Sequence, residues 1–157
     1  MSEPLKTYRI GEDGEVVKSQ RDKILSAEQY LATLPQVEVQ IKHTFAHGTY
    51  AREIEIPAGV CCTGKVHKFD DLNIVPYGHM TVMTEDGWKE VVGPCTFKGC
   101  AGVKKIGYAH ENTLWITIHA TDETDLDIIE STLFAECDGE PKVIDFKTGK
   151  PIQEALL

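Results

Sequence analysis

The sequence lacks three features that would take it out of the class of cytoplasmic globular proteins. No apolar run is as long as a membrane-spanning helix, and the first ten residues, MSEPLKTYRI, do not follow the basic, apolar and small-residue order of a signal peptide. The cysteines have neither the even number of a disulfide framework nor the CxxC spacing of a zinc knuckle. They are Cys61, Cys62, Cys95, Cys100 and Cys137. We therefore expect a cytoplasmic protein with no membrane partner, whose reduced thiols act as small apolar side chains.

Positive charge is also scarce. The chain has 16 Lys and Arg against 25 Asp and Glu, which gives a formal net charge of −9. Phosphate contacts need clustered cations, so we expect no broad nucleic-acid surface, whereas a local cationic pocket remains compatible with this charge. The 157 residues suffice for one core and are too few for two domains of usual size.

The sequence pattern divides the chain into three parts. Residues 1–36 form an extended polar arm and one short helix, for which Ser26 begins a capping-box pattern. Residues 37–121 contain short segments of alternating polarity, rich in β-branched and aromatic residues and separated by turns such as PAG, PYG and EDG. Residues 122–157 contain a second short helix, a strand in TLFAEC and another arm. Such spacing predicts an antiparallel sandwich or barrel. The predicted strands are VEVQIKHTF, TYAREIEIP, TGKVHKF, LNIVP, HMTVMTE, WKEVV, CTFKG, KKIGYAH and TLWITIHA.

The order of turns and strands resembles the cupin superfamily. The first cupin motif, G(X)5HXH(X)3-4E(X)6G, places metal ligands on two strands joined at its last glycine. The stretch GKVHKFDDLNIVPYG resembles it when Gly78 is taken as that glycine. The alignment then puts Lys65 at the first histidine, His67 at the second and Asp71 at the glutamate.

The second cupin motif, G(X)5PXG(X)2H(X)3N, resembles GPCTFKGCAGVKKIGYAHEN with one residue inserted. Lys105 then occupies the third histidine position, with Lys104 as the neighbouring possibility. The resemblance covers roughly residues 37 to 120. It implies an all-β cupin-type barrel or jelly-roll sandwich, with one or two short helices and extended terminal arms.

Lysine at two ligand positions implies the remains of a metal site, because an ammonium group has no lone pair until it is deprotonated. We therefore expect no cofactor. The alternative is a divalent first-row metal bound by His67 and Asp71 together with His110 or His119, which lie near the second motif.

The lysines also suggest a different kind of site. Lys65, Lys104 and Lys105 could form, with His67, a cationic pocket for a phosphate, carboxylate or nucleotide. Tyr108 is a candidate to stack on such a ligand.

The stretches HTFAHGTYAREIEIPAG and GYAHENTLWITIHAT also resemble small cupin-like proteins of tailed bacteriophages. This implies a viral or prophage origin, and a location in the host cytoplasm or the virion. We favour a non-catalytic structural or assembly component, a homo-oligomer whose arms, residues 1–24 and 138–157, contact other copies or other phage proteins. The alternatives are a binder of a small anionic metabolite or nucleotide, and a metal-dependent dioxygenase or isomerase.

Overall fold

The computed structural model of the chain describes residues 20–135 in full and, outside them, the backbone of three short strands. In chain order the elements are β1 (Arg9–Ile10), β2 (Val16–Val17), α1 (Gln20–Thr33), β3 (Gln40–Ala46), β4 (Thr49–Ile56), β5 (Val60–Thr63), β6 (Asp71–Tyr77), β7 (His79–Thr84), β8 (Gly87–Val92), β9 (Cys95–Gly99), β10 (Lys105–Ala109), β11 (Thr113–Ala120), α2 (Leu126–Leu133) and β12 (Val143–Asp145).

Ten of these strands form two antiparallel sheets that pack face to face. The first sheet has the order β3-β4-β11-β6-β9, and the second has the order β12-β5-β10-β7-β8. Neighbours such as β4 and β11 are far apart in sequence, as in a jelly roll. β1 and β2 pair separately. The predicted all-β sandwich with two short helices is confirmed.

The core lies between the two sheets. Ile56 of the first sheet packs against Val60, Met80, Val82 and Ala109 of the second. Each strand alternates inward and outward side chains, so the inward apolar residues meet across the sandwich. Full burial of one such side chain contributes about 1.5–3 kcal/mol to stability.

α1 begins at Gln20, earlier than the capping-box pattern indicates, and Ser26 lies inside the helix. Residues 20–24, predicted as part of the arm, are therefore helical. The reason is tertiary packing: Ile24, Glu28 and Leu31 are buried on one face of the helix, and Leu31 contacts Cys61 on the outer face of the second sheet.

The segment TGKVHKF, predicted as a strand, is mostly a loop after β5, in which His67 makes an isolated bridge to Phe134. Its backbone bonds instead to other segments: Lys68 N donates to Leu133 O, and Ala135 N donates to Val66 O. The strand predicted in TLFAEC is thus reduced to this bridge, and residues 136–137 lie outside the described residues. α2 is present as predicted, with Asp125 as its N-cap.

Three further sequence predictions concern thiols, membranes and arms. Cys61, Cys62, Cys95 and Cys100 are free thiols, and Cys137 is outside the described residues. Among the described residues, neither helix is long and apolar enough to cross a membrane. The arms, residues 1–24 and 138–157, lie outside the described part of the chain apart from the first turn of α1 and the strands β1, β2 and β12.

Candidate functional site

A cavity of about 100 Å³ lies between the two sheets, and we call it the barrel cavity. One part of its wall is apolar and the other carries cationic side chains. Its lining residues are Arg52, Ile54, Ile56, Cys62, Thr63, Gly64, Lys65, His67, Met80, Val82, Lys105, Gly107, Trp115 and Thr117. An engineered cavity of about 150 Å³ takes up benzene, so the space between the sheets suits a small molecule better than a nucleotide.

Arg52 projects into the barrel cavity from β4. Strand alternation puts it on the inward face with Tyr50 and Ile56, and only 7% of the residue is exposed. Its Nε and Nη2 atoms are buried and have no hydrogen-bond partner among the described residues. Burial lowers the pKa of Arg52 to about 10, so the guanidinium remains charged at neutral pH. A buried cation without an acceptor is costly, and a bound anion would compensate it.

Two of the predicted lysines also line the cavity. The ammonium of Lys105 lies 5.8 Å from the ring centroid of Trp115, and burial lowers the pKa of this lysine. Lys65 lines the cavity as well, but its ammonium is paired with Glu130 of α2. α2 thus covers this end of the sandwich, where Leu133 also packs near Tyr50.

The other two predicted ligand-binding residues do not reach the barrel cavity. Lys104 is fully buried, and its Nζ lies 2.7 Å from Glu28 Oε2 and 2.9 Å from Gly64 O. It therefore joins α1 to the barrel. Tyr108 lies on the outward face of β10, against the cluster formed by Leu31 and Cys61.

A chain of hydrogen bonds borders the cavity. His67 Nδ1 is bonded to Asp71 Oδ2. Asp71 Oδ1 accepts from Asn73 Nδ2 at 2.7 Å, and Asn73 Oδ1 accepts from Trp115 Nε1 at 2.8 Å and from Thr117 Oγ1 at 3.2 Å. Every member therefore has a defined partner, which fixes the side chains in this part of the cavity wall.

The charge state of Asp71 follows from this network. Burial by itself raises the pKa of Asp71, but the hydrogen bond and charge of His67, together with Lys105 and His119, outweigh it, so the pKa lies below its usual value. The carboxylate is therefore ionised and accepts from Nδ1–H of His67. In the neutral ring this leaves Nε2 of His67 as the unprotonated nitrogen.

His119 is the second imidazole beside this network. It is 5% exposed, its Nε2 has no hydrogen-bond partner among the described residues, and its ring centroid lies 5.2 Å from that of His67. Burial, with smaller contributions from the nearby cations, lowers the pKa of His119 to about 4. The ring is therefore neutral at physiological pH and able to act as a ligand or acceptor.

His67, Asp71 and His119 offer ligand atoms within 4.8 Å of one another. Two imidazoles and a carboxylate are a donor set that suits a divalent first-row metal, and the orphaned Nε2 of His119 is consistent with it. Two features oppose a dication: both oxygens of Asp71 are already engaged, and the cation Lys105 lies close enough to lower the pKa of both Asp71 and His119. The predicted ligand His110 lies elsewhere, on the outer face of the second sheet.

Sequence reasoning missed Arg52 and Asn73. The signal for Arg52 was present in TYAREIEIP, because period-two alternation puts a charged residue on the same face as Tyr50, Ile54 and Ile56. A charge within an apolar strand face is seldom left unpaired, and it marks a site.

No protein-family profile and no curated protein matches the sequence. Solved structures do match. Ectoine synthase from P. lautus has a TM-score of 0.51 at 8% identity, over 65% of this chain and 78% of that chain. The S161A mutant of Bacillus subtilis oxalate decarboxylase has a TM-score of 0.50 at 12% identity, over 64% of this chain and 29% of that chain. An RmlC-like cupin from Shewanella frigidimarina has a TM-score of 0.45 at 15% identity, over 54% of this chain and 77% of that chain.

The chain therefore has the cupin fold, as the sequence resemblance implied. At these identities the similarity concerns the fold alone, and chemistry has to be argued from the residues. The resemblance to bacteriophage proteins stays a prediction.

Proposed function

We propose that the protein binds a small organic anion, a carboxylate, inside the barrel cavity. The observation that carries this proposal is Arg52, whose buried Nε and Nη2 lack an acceptor among the described residues. A guanidinium presents a planar fork of donors that matches the two oxygens of a carboxylate. A bound carboxylate would therefore satisfy the buried donors that have no partner in the described part of the chain.

The remaining lining of the cavity supports an organic rather than an inorganic anion. Ile54, Met80, Val82 and Trp115 form an apolar wall next to Arg52. Apolar lining with a few converging polar groups is typical of small-molecule sites. Lys105 supplies a second cation over the ring of Trp115, which favours a ligand whose carboxylate is joined to a short apolar or planar group.

Calorimetric titration of a small panel would test the proposal, with acetate, pyruvate, benzoate and succinate as carboxylates and with inorganic phosphate and adenosine monophosphate as competing classes. We expect at least one carboxylate to bind wild type, and Arg52→Gln to weaken it about tenfold or more, since hydrogen bonds to charged groups contribute about 1.5–3 kcal/mol. Arg21→Gln is the matched control, because Arg21 pairs with Glu85, outside the cavity lining. Equal binding by wild type and Arg52→Gln would refute the proposal.

A metal-dependent activity is a second candidate, favoured by the convergence of His67, Asp71 and His119. A bound divalent ion would supply Lewis-acid or redox chemistry, and these three residues would hold it. Metal analysis of protein purified without chelator tests this: one iron, manganese, nickel or zinc ion per chain that is lost in His119→Gln would establish it, and its absence from wild type would reject it.

The structural or assembly role favoured by the sequence concerns the terminal arms. It is compatible with anion binding, because a component of an assembly can hold a small ligand in its barrel. The two roles have separate tests, since the described residues that line the cavity fall between positions 52 and 117 of the sequence and the arms are residues 1–24 and 138–157.

A further inference from the structure

Three side chains meet on the outer face of the second sheet, far from the inward residues of the barrel cavity. His79 begins β7, Glu90 lies on β8 and His110 directly follows β10. The register pairs Thr81 with Glu90, and His110 N donates to His79 O at 2.8 Å, so these residues occupy adjacent positions on three neighbouring strands. Met80 is buried in the core, so the alternation turns its neighbours outward.

The ligand atoms of this group converge on one point. His79 Nε2 is bonded to Glu90 Oε2, and Thr81 Oγ1 lies 2.7 Å from Glu90 Oε1 and 2.6 Å from His110 Nε2. The ring centroids of His79 and His110 are 4.5 Å apart. One ligand atom from each of His79, Glu90 and His110 lies within 4.8 Å of the others.

We propose that His79, Glu90 and His110 form a Zn²⁺ site on the outer face of the sheet. Two imidazole nitrogens and one carboxylate are a known set of three protein ligands for zinc, which leaves a fourth position for water. Two atoms that each lie about 2.0–2.2 Å from one Zn²⁺ are at most about 4.4 Å apart, which is close to the 4.8 Å within which these three ligand atoms lie. The His79 and Glu90 side chains are 34% and 56% exposed, so the ion has direct access from solvent.

This site is independent of the anion site. His79 and His110 face away from the barrel cavity, and neither belongs to its lining. The interior group of His67, Asp71 and His119 is the competing location for zinc, and the test has to separate the two.

Zn²⁺ titration by calorimetry, on full-length protein freed of metal by chelation and dialysis, tests the proposal. We expect one Zn²⁺ to bind wild type and the affinity to fall at least about tenfold in His110→Gln and in Glu90→Gln. His47→Gln is the matched control, because His47 is also an exposed histidine beside a carboxylate, 3.6 Å from Asp122 Oδ1. His119→Gln removes a candidate metal ligand of the interior group and should leave the affinity for Zn²⁺ unchanged.

Three results would overturn the assignment: no Zn²⁺ binding by wild type, unchanged binding in both His110→Gln and Glu90→Gln, or loss of binding in His119→Gln. All four substitutions can be checked for folding by circular dichroism. Neither His110 nor Glu90 is in the core, so both substitutions should leave the thermal midpoint of the metal-free protein nearly unchanged.

Discussion

Arg52 is the residue at which the proposed ligand binding would work against the stability of the unliganded protein. Its guanidinium is buried in a cavity whose other wall is apolar, with Nε and Nη2 unpaired among the described residues. An uncompensated buried charge lowers the stability of the unliganded protein, and such strain is common where a site is kept ready for a ligand.

We therefore expect Arg52→Met to raise the free energy of unfolding of the unliganded protein by about 1–3 kcal/mol, because an apolar chain of similar length replaces the unpaired cation. Urea denaturation measures this difference. Lys98→Met is the matched control: its side chain is 65% exposed, and substitution there should change the free energy by less than about 0.5 kcal/mol. A clear loss of stability in Arg52→Met would mean that the guanidinium is compensated in the ligand-free protein.

His119 should give the protein a pH-dependent stability. Burial lowers the pKa of His119 to about 4, from its usual value of 6.5, so the unfolded chain binds more protons than the folded chain between these pH values. The neutral ring therefore makes its full contribution to the free energy of unfolding above about pH 6.5. This contribution, up to about 3 kcal/mol, is lost as the pH falls toward about 4.

His119→Phe keeps an aromatic ring against Tyr50 and removes the titrating group. We expect its free energy of unfolding, measured by urea denaturation at a series of pH values, to fall less steeply than that of wild type between pH 6.5 and 4. The pKa of Asp71 is lowered in the folded protein, so its contribution to stability is lost only as the pH falls through that lowered pKa. The effect of Asp71 therefore lies mostly below the range from pH 6.5 to 4. Parallel curves for the two proteins would contradict the assignment to His119.

At the scale of elements, the pairing of β6 with β9 leaves space for the hydrogen-bond network beside the cavity because β9 has a glycine at this point. Gly99 of β9 pairs with Asp71 of β6. A Cβ at Gly99 would lie 2.5 Å from Asn73 Nδ2 and would also meet the Asp71 carboxylate. Only glycine leaves space there for the carboxylate and amide to bond to each other.

Gly99→Ala should accordingly lower the free energy of unfolding by about 1–3 kcal/mol, because overpacking shifts Asp71 and Asn73 from their bonded positions. Chemical denaturation provides the measurement. Gly64→Ala is the control, since a Cβ at Gly64 meets nothing within 4 Å. Similar stabilities for the two variants would show that β9 adjusts without disturbing the network.

At the scale of the whole molecule, both sheets of the sandwich end in edge strands. Each five-stranded sheet of the sandwich has two edge strands, β3 and β9 in the first sheet and β12 and β8 in the second. β8 exposes Trp88 by 67% and Val92 by 56%. Edges of this kind are commonly covered by another segment or another copy, and closed symmetric assemblies are the usual outcome.

We predict a homo-oligomer whose arms contribute to subunit contacts. Light scattering on the full chain should give a multiple of the 17.5 kDa subunit mass, and removal of residues 1–19 and 138–157 should reduce it to a monomer. The first cut leaves α1 intact, because the helix begins at Gln20. A monomeric full-length protein, or an oligomer that persists without the arms, would contradict this prediction.

The sequence by itself determined the strands, the fold class and part of the site. Alternating polarity and turn glycines are local signals, and they correctly predict most strands and an antiparallel sandwich, whereas the cupin type was implied by the motif resemblance. The motif alignment grouped Lys65, His67 and Lys105, which line one cavity, with Asp71, which is bonded to His67, but the sequence prediction also included Lys104 and Tyr108, which do not line it. These positions can be predicted from the sequence because the order of the turns determines which strand ends lie next to each other.

Only the tertiary structure decided which faces and which distant strands meet. The register between β11 and β4 sets Thr117 opposite Arg52 and brings the guanidinium to the cavity. β10 and β11 follow each other in the sequence but belong to different sheets. His119 on β11 therefore faces inward, whereas His110, directly after β10, lies on the outer face with His79. Period-two alternation defines two faces for each strand, but which face is buried depends on the packing partner, and that contact is not local in sequence.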